Sequence, residues 1–177
     1  MYYAAIKKCN ISNGPGCRTA LFVSGCTRHC EGCFNQEAWD FHYGQPFTPA
    51  VEEEIMESLR PGHIRGLSLL GGEPFEPANQ QALLPLLRRV RRELPEKTVW
   101  CYTRYNFETD LLPGHVGDPT ITRELLSYLD VLVDGDFRLE EKNIRLRFRG
   151  SENQRIIDVP QSLAQGVVVL WDGTATP

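Results

Sequence analysis

Three of the six cysteines in this sequence, Cys26, Cys30 and Cys33, fall within one short segment, while Cys9, Cys17 and Cys101 are scattered. The segment reads Gly25-Cys26-Thr27-Arg28-His29-Cys30-Glu31-Gly32-Cys33-Phe34-Asn35. A tight cluster of this kind, with no secretory signal ahead of it, points to metal binding or redox chemistry before a disulfide framework. Three chemistries compete. A structural zinc site takes four protein ligands, usually as two separated pairs, and here only His29, His42 or a distant cysteine could complete the triple. Cys30 and Cys33 have the spacing of a redox dithiol, which leaves Cys26 without a role. An iron–sulfur cluster is held by thiolates, and three of them on a four-iron cluster leave one iron open to a ligand from outside.

The second segment that could do chemistry is Gly71-Gly72-Glu73-Pro74. In isolation it is a strand-ending turn. Behind a strand and downstream of the cysteines that plain reading loses; glycines there let backbone approach closely, and the Glu73 carboxylate can accept a charge-assisted hydrogen bond.

The elements that must position these loops follow from apolar periodicity. Thr19–Ser24 reads as a buried strand ended by Gly25, and Gly66–Leu70 as a second strand running into Gly71. Between them, Thr48–Leu59 reads as a helix with Thr48 as its cap, Pro49 at its first position and Glu52, Glu53 and Glu54 at its positive end. Leu83, Leu87, Val90 and Leu94 form the apolar stripe of a further helix. Pro85 is tolerated there if that helix begins late and otherwise kinks its first turns. Thr98–Thr103 is a third strand, Ile121–Leu129 a helix and Val131–Val133 a fourth strand closed by Asp134-Gly135. Arg155–Val159 and Val167–Trp171 are later strand segments. Strands alternating with helices predict parallel βα units. A chain of 177 residues is too short for a full eight-fold barrel, which takes about 250. An incomplete barrel or an open sheet fits, and in both the loops after the carboxyl ends of strands carry the site. The cysteine loop and the Gly-Gly-Glu-Pro loop both occupy such positions.

Composition bounds the rest. Hydrophobic residues at 41%, aromatics at 10% and charged residues at 24% are ordinary globular values. Nineteen basic and 23 acidic residues leave −4, too mild to imply a nucleic-acid or membrane surface. No apolar run approaches the ~18 residues of a membrane span, and the first residues lack the apolar stretch of a signal peptide. The expectation is a single domain over residues 1–177, cytoplasmic, with neither nucleic acid nor membrane as partner.

The Cys-x-x-x-Cys-x-x-Cys loop followed by Gly-Gly-Glu-Pro resembles the radical S-adenosylmethionine superfamily. Five ordered segments narrow the resemblance: Asn13–Thr19, Leu21–Cys26, Cys30–Cys33, Val131–Gly135 and Arg149–Gln154. They are similar to the branch of glycyl-radical-enzyme activases that serves anaerobic ribonucleoside-triphosphate reductases, and the likeness covers most of the chain. It implies an incomplete parallel β/α barrel of the radical S-adenosylmethionine type. It implies one [4Fe-4S] cluster on Cys26, Cys30 and Cys33, with S-adenosyl-L-methionine on the open iron. Gly71, Gly72 and Glu73 would hold the methionine end, and Gly32, Cys33 and Phe34 would belong to the cofactor environment. Many superfamily members place an aromatic residue directly before the last cysteine. Here that position is Gly32, as in the activase branch, with Phe34 on the far side of Cys33. The implied reaction removes a hydrogen atom from a glycine of the anaerobic ribonucleotide reductase large subunit, with a flavodoxin or ferredoxin as electron donor. The alternatives are an activase of another glycyl-radical enzyme, a small-molecule radical enzyme, and a non-enzymatic zinc or iron–sulfur scaffold.

The remaining polar and aromatic residues take plainer expectations. Cys101 is a buried core thiol, Cys9 and Cys17 match no ligand spacing and are incidental, and His29 is exposed or hydrogen-bonding. His42, His63 and His115 have no identifiable partners, and Trp39 and Trp100 are packing residues. The arginines at 88, 89, 91 and 92 and the basic run Arg138, Lys142, Arg145, Arg147 and Arg149 make solvated faces, the run doubling as a contact for a protein partner. Asn153-Gln154 has no mechanism of its own.

Overall fold

In the computed structural model, which describes residues 1–173, one seven-stranded sheet carries the chain in the order β3-β1-β2-β4-β5-β6-β7. Residues 174–177 of the expected 1–177 domain lie outside the described residues. The strands are β1 (Tyr2–Asn10), β2 (Cys17–Val23), β3 (Gln45–Pro46), β4 (Ile64–Gly71), β5 (Thr98–Tyr102), β6 (Val131–Asp134) and β7 (Arg155–Asp158). The helices are α1 (Pro49–Leu59), α2 (Pro77–Glu93), α3 (Pro119–Ser127) and α4 (Val159–Gln165).

Strands β2, β4, β5 and β6 are parallel neighbours in chain order, each joined to the next through a helix or, for β2 to β4, through β3 and α1. The expected parallel βα units are therefore the centre of the sheet. Its edges are antiparallel: β1 against β2, β3 against β1, and β7 against β6. The long strand β1 carries no strict apolar alternation, and its residues are half-buried or exposed at an edge region of the sheet. Sequence periodicity passes over it for that reason. Val167–Trp171 does not form a strand; Leu170 makes one isolated bridge to Ile157.

Helix α1 begins as its sequence predicts, with Thr48 Oγ1 accepting from Val51 N at 3.4 Å and Pro49 at the first position. Helix α2 starts at Pro77, well ahead of the apolar stripe, so Pro85 lies mid-helix. Pro85 is exposed, so the backbone carbonyl its missing N–H leaves unpaired is on the wet side, where water can satisfy it.

The apolar stripes of α1, α2 and α3 pack on one face of the sheet. Ile55, Met56, Leu83, Leu87, Val90, Leu125 and Leu126 meet Leu21, Val23, Leu67, Leu69, Val99 and Leu132 in the main core. Strand alternation sends the other set of side chains to the opposite face. There Trp100, Val131 and Val133 form a smaller cluster with Tyr102, Phe148, Ile156 and Trp171. Arg18, fully buried on β2, ties the strand starts together by donating to Ser68 Oγ at 2.8 Å, Thr98 Oγ1 at 2.9 Å and the carbonyls of Leu67 and Thr98 at 2.8 Å each.

One expectation about side chains changes and another gains detail. Cys9 and Cys17, expected to be incidental, form a disulfide between β1 and β2, their Cα atoms 5.2 Å apart. Antiparallel pairing of β1 with β2 brings them together, which spacing along the chain could not show. The arginine-rich helix is an ion-paired face: Arg88 meets Glu124 at 2.6 Å, Arg89 meets Glu53 at 2.7 Å and Arg91 meets Asp130 at 2.7 Å. No helix among the described residues is long and apolar enough to cross a membrane.

Candidate functional site

The carboxyl ends of β2, β4, β5 and β6 converge on a cavity of about 210 Å³ whose lining includes Cys26, Cys30, Cys33, Gly71, Gly72 and Glu73, with Tyr102, Thr103 and Arg104 from the end of β5 and Gly135 and Gln154 from beyond β6. The two loops singled out from sequence meet here because β2 and β4 are parallel neighbours in register, Val23 opposite Gly71.

Backbone bonds fuse the loops. Gly72 N donates to Val23 O at 2.7 Å and Glu73 N to Gly25 O at 2.8 Å, while Gly25 N donates to Ala38 O at 2.8 Å and Cys26 N to Trp39 O at 3.1 Å. A side chain at position 72 would put its Cβ 2.5 Å from Gly25 O and 2.9 Å from Ala38 O, so glycine is required there by the neighbouring cysteine loop. The start of α2 braces the same loop: Glu76 Oε1 accepts from Thr27 N at 2.9 Å and from Thr27 Oγ1 at 2.7 Å. On the other side, Arg28 pairs with Asp136 at 2.6 Å, and the Cys30 thiol lies 4.0 Å from the same carboxylate.

Burial pushes the Cys26 thiol above its ordinary value, and burial together with Asp136 and Cys33 does the same for Cys30. Both must lose a proton to ligate metal, so loading of the site becomes easier as pH rises. Among the described residues no three His, Cys, Asp or Glu side chains are grouped to hold a metal ion; the three thiols stand instead around a shared cavity.

Glu73 is 1% exposed. Its Oε1 accepts from Phe75 N at 2.8 Å and Thr103 Oγ1 at 2.9 Å, and its Oε2 accepts from Arg104 N at 2.8 Å. The carboxylate thus clamps the β4 loop to the end of β5. Burial raises its pKa to about 7, against the opposing effect of those donors. Between about pH 4.5 and 7 the folded protein therefore holds a proton on Glu73 that the unfolded chain has released, and above about 7 both carry the carboxylate. By linkage, stability should fall as pH rises from about 4.5 to 7 and level off above that. Denaturant titrations of the metal-free protein across this range check the expectation, and Glu73→Gln should flatten the profile.

Of the residues expected near the cofactors, Cys26, Cys30, Cys33, Phe34, Gly71, Gly72 and Glu73 line the cavity and Gly32 does not. Gly32 has φ +72, and a Cβ there would stand 2.9 Å from Leu139 Cδ1; a left-handed turn under the β6 loop is what asks for glycine. Phe34 is 75% exposed, tilted against Phe137 with ring centroids 5.9 Å apart. His29 stacks on Trp39 at 4.6 Å. Gln154, without a mechanism in sequence, is a loop fastener in the fold. Its Oε1 accepts from Gly150 N at 2.8 Å and Ser151 N at 3.2 Å, and its Nε2 donates to Gly135 O at 3.0 Å, folding the 135–154 loop onto the cavity. Sequence reasoning missed Tyr102, Thr103 and Arg104, although the rule that strand ends carry the site applies to β5 as to β2 and β4. The hydroxyl of Tyr102 and Nε of Arg104 are buried with no hydrogen-bond partner among the described residues. A larger cavity of about 370 Å³ opens at the opposite strand ends beside Arg18, Lys97 and Asp130, without a thiol.

Parallel strands ending in a thiol-lined cavity make this an α/β protein with a candidate metal centre, and the family of the 4Fe-4S single cluster domain matches residues 12–157. Proteins named anaerobic ribonucleoside-triphosphate reductase-activating protein are similar over nearly their whole length. That of Vibrio cholerae serotype O1 is 42% identical over 158 residues, covering 88% of this chain and 97% of its own. That of Enterobacteria phage T4 is 40% identical over 158 residues, covering 88% and 93%. That of Escherichia coli (strain K12) is 39% identical over 156 residues, covering 87% and 96%. The chain belongs to the family of anaerobic ribonucleoside-triphosphate reductase-activating proteins.

Proposed function

We propose that this chain is a radical S-adenosylmethionine oxidoreductase that generates a glycyl radical on the large subunit of an anaerobic ribonucleotide reductase. The observation that carries the reading is the meeting of Cys26, Cys30 and Cys33 with Gly71, Gly72 and Glu73 in one cavity at the carboxyl ends of parallel strands. Four parallel strands in chain order, with the main apolar core on their helix-covered face and a separate aromatic cluster on the other, suit an incomplete β/α barrel and one radical unit over residues 1–177.

The residues fit the two groups this function needs. Cys26, Cys30 and Cys33 would hold a [4Fe-4S] cluster, and the unpartnered Tyr102 hydroxyl and Arg104 Nε are the kind of buried polar atoms that await a polar ligand such as S-adenosyl-L-methionine. When bound, the pair supplies one-electron cleavage of the sulfonium and the 5′-deoxyadenosyl radical that takes a hydrogen atom from glycine. The chain's own part is positional. Glu76 and Asp136 hold the cysteine loop from two sides, Glu73 holds the ends of β4 and β5 together, and Gln154 folds the last loop over the cavity. Trp39 and Phe137 contribute aromatic side chains to the cavity wall. The reading places the protein in the cytoplasm, with a flavodoxin or ferredoxin as electron donor.

Anaerobic reconstitution with iron and sulfide, followed by chemical reduction and addition of S-adenosylmethionine, tests it. The expected products are methionine and 5′-deoxyadenosine, formed slowly when no protein substrate is present. Stoichiometric zinc uptake with neither iron binding nor cleavage would instead establish the scaffold alternative.

A further inference from the structure

The Gly-Gly-Glu loop raises a problem of supply: a ligand with an amino-acid end brings a carboxylate, and Glu73 cannot meet it. Its oxygens already accept from Phe75 N, Thr103 Oγ1 and Arg104 N, and a carboxylate facing a carboxylate is repulsive. Arg104 is what this clamp positions. It is the one cationic side chain among the described residues that line the thiol cavity.

Its guanidinium is fixed on one side and unsatisfied on another. Nη2 donates to Tyr105 Oη at 2.6 Å and to Thr27 Oγ1 at 3.2 Å, and the Tyr105 ring lies under Cζ at 3.9 Å. The carboxylate of Glu76 stands 4.0 Å away, with its Oε1 engaged by Thr27. Nε is buried and donates to nothing among the described residues. An orphaned buried donor on a held cation costs stability until an acceptor arrives, and a carboxylate brings Nε the charge-assisted acceptor it lacks.

We propose that the Arg104 guanidinium recognises the carboxylate at the amino-acid end of S-adenosylmethionine, with Glu73 as the residue that positions it. This rests on the function proposed above. The stacking on Tyr105 and the bond to Thr27 hold the guanidinium beside the cysteine loop before ligand arrives, so little ordering remains for binding to accomplish.

The experiment measures equilibrium binding of S-adenosylmethionine and of decarboxylated S-adenosylmethionine to the cluster-loaded protein, in the parent, Arg104→Gln and Arg104→Lys. Loss of a charge-assisted contact should weaken S-adenosylmethionine binding about ten- to hundredfold in Arg104→Gln. Affinity for the decarboxylated ligand should stay within roughly twofold, with iron content unchanged, and Arg104→Lys should fall between parent and Gln. A merely structural role would weaken both ligands together, and that result overturns the assignment. Equal S-adenosylmethionine affinity in parent and Arg104→Gln overturns it as well and leaves the proposed function standing. A cluster-loaded parent that binds neither ligand overturns the function and this assignment together.

Discussion

Alanine at Cys26, Cys30 or Cys33 should abolish the visible absorption of a four-iron cluster, whereas alanine at Cys9, Cys17 or Cys101 should leave it in place. Each thiol of the triple lines the one cavity, and a cluster with three protein ligands has no spare thiolate nearby to replace a lost one. Cys101 lies in the main core on the helix-covered face, where burial holds its thiol well above the ordinary value and so protonated. Cys17 begins β2, whose far end carries the cysteine loop, roughly 20 Å away at ~3.3 Å per residue, and its sulfur is bonded to Cys9. Iron and sulfide analysis after anaerobic reconstitution of the six single variants decides the matter. Cluster loss in Cys17→Ala or Cys101→Ala, with the triple tolerating substitution, would overturn the ligand set.

The second large effect is all-or-none in the partner. Mixed with the reduced protein and S-adenosylmethionine, the anaerobic reductase large subunit should acquire a stable glycyl radical and become competent for nucleotide reduction. Omission of either protein should leave no such signal in electron paramagnetic resonance. The proposed function puts the reductase contact on the exposed apolar and basic side chains of residues 34 and 138–149. Phe34 and Ile144 are exposed at 75% and 91%, and Lys142 stands over the Phe34 ring at 5.1 Å. In the basic run, Arg138 is paired with Glu141 at 2.8 Å and Arg149 donates to the carbonyls of Glu152 and Gln154. Arg147 only rests over Phe148 at 5.1 Å. Charge reversal at Arg145 and Arg147 should therefore slow activation, more at low salt, with iron content unchanged. Rapid turnover of a small molecule without any radical on the reductase would move the assignment to the small-molecule alternative.

Much of the site is legible in the chain because its chemistry is local. Three thiols in one loop and a Gly-Gly-Glu turn need only their neighbours in sequence to be recognised, and the strands ahead of them show as short apolar runs ended by glycine. Helix α1 is readable to its first residue, since a threonine cap, a proline and acidic residues act within one turn. Strand β1 is not, because its residues are half-buried or exposed and lack the alternation that burial on one face imposes. The start of α2 is displaced for a related reason: its first turn is held by Asn79 and Gln80, buried polar residues that donate to Ser24 O, Glu73 O and Phe75 O, and no apolar stripe announces them.

Sequence by itself determined the ligand types, their order and the strand ends that present them. Only the tertiary structure decided which groups remain free to act. Side-by-side pairing of β4 with β5 turns the Glu73 carboxylate toward Thr103 and Arg104, so the residue expected at the methionine end also clamps two strand ends, and Arg104 stands as the cation at the cavity. Antiparallel pairing of β1 with β2 joins Cys9 to Cys17. Both outcomes depend on contacts between residues far apart in the chain, and a hydrogen bond or disulfide of that kind is set by strand register, which no local spacing encodes.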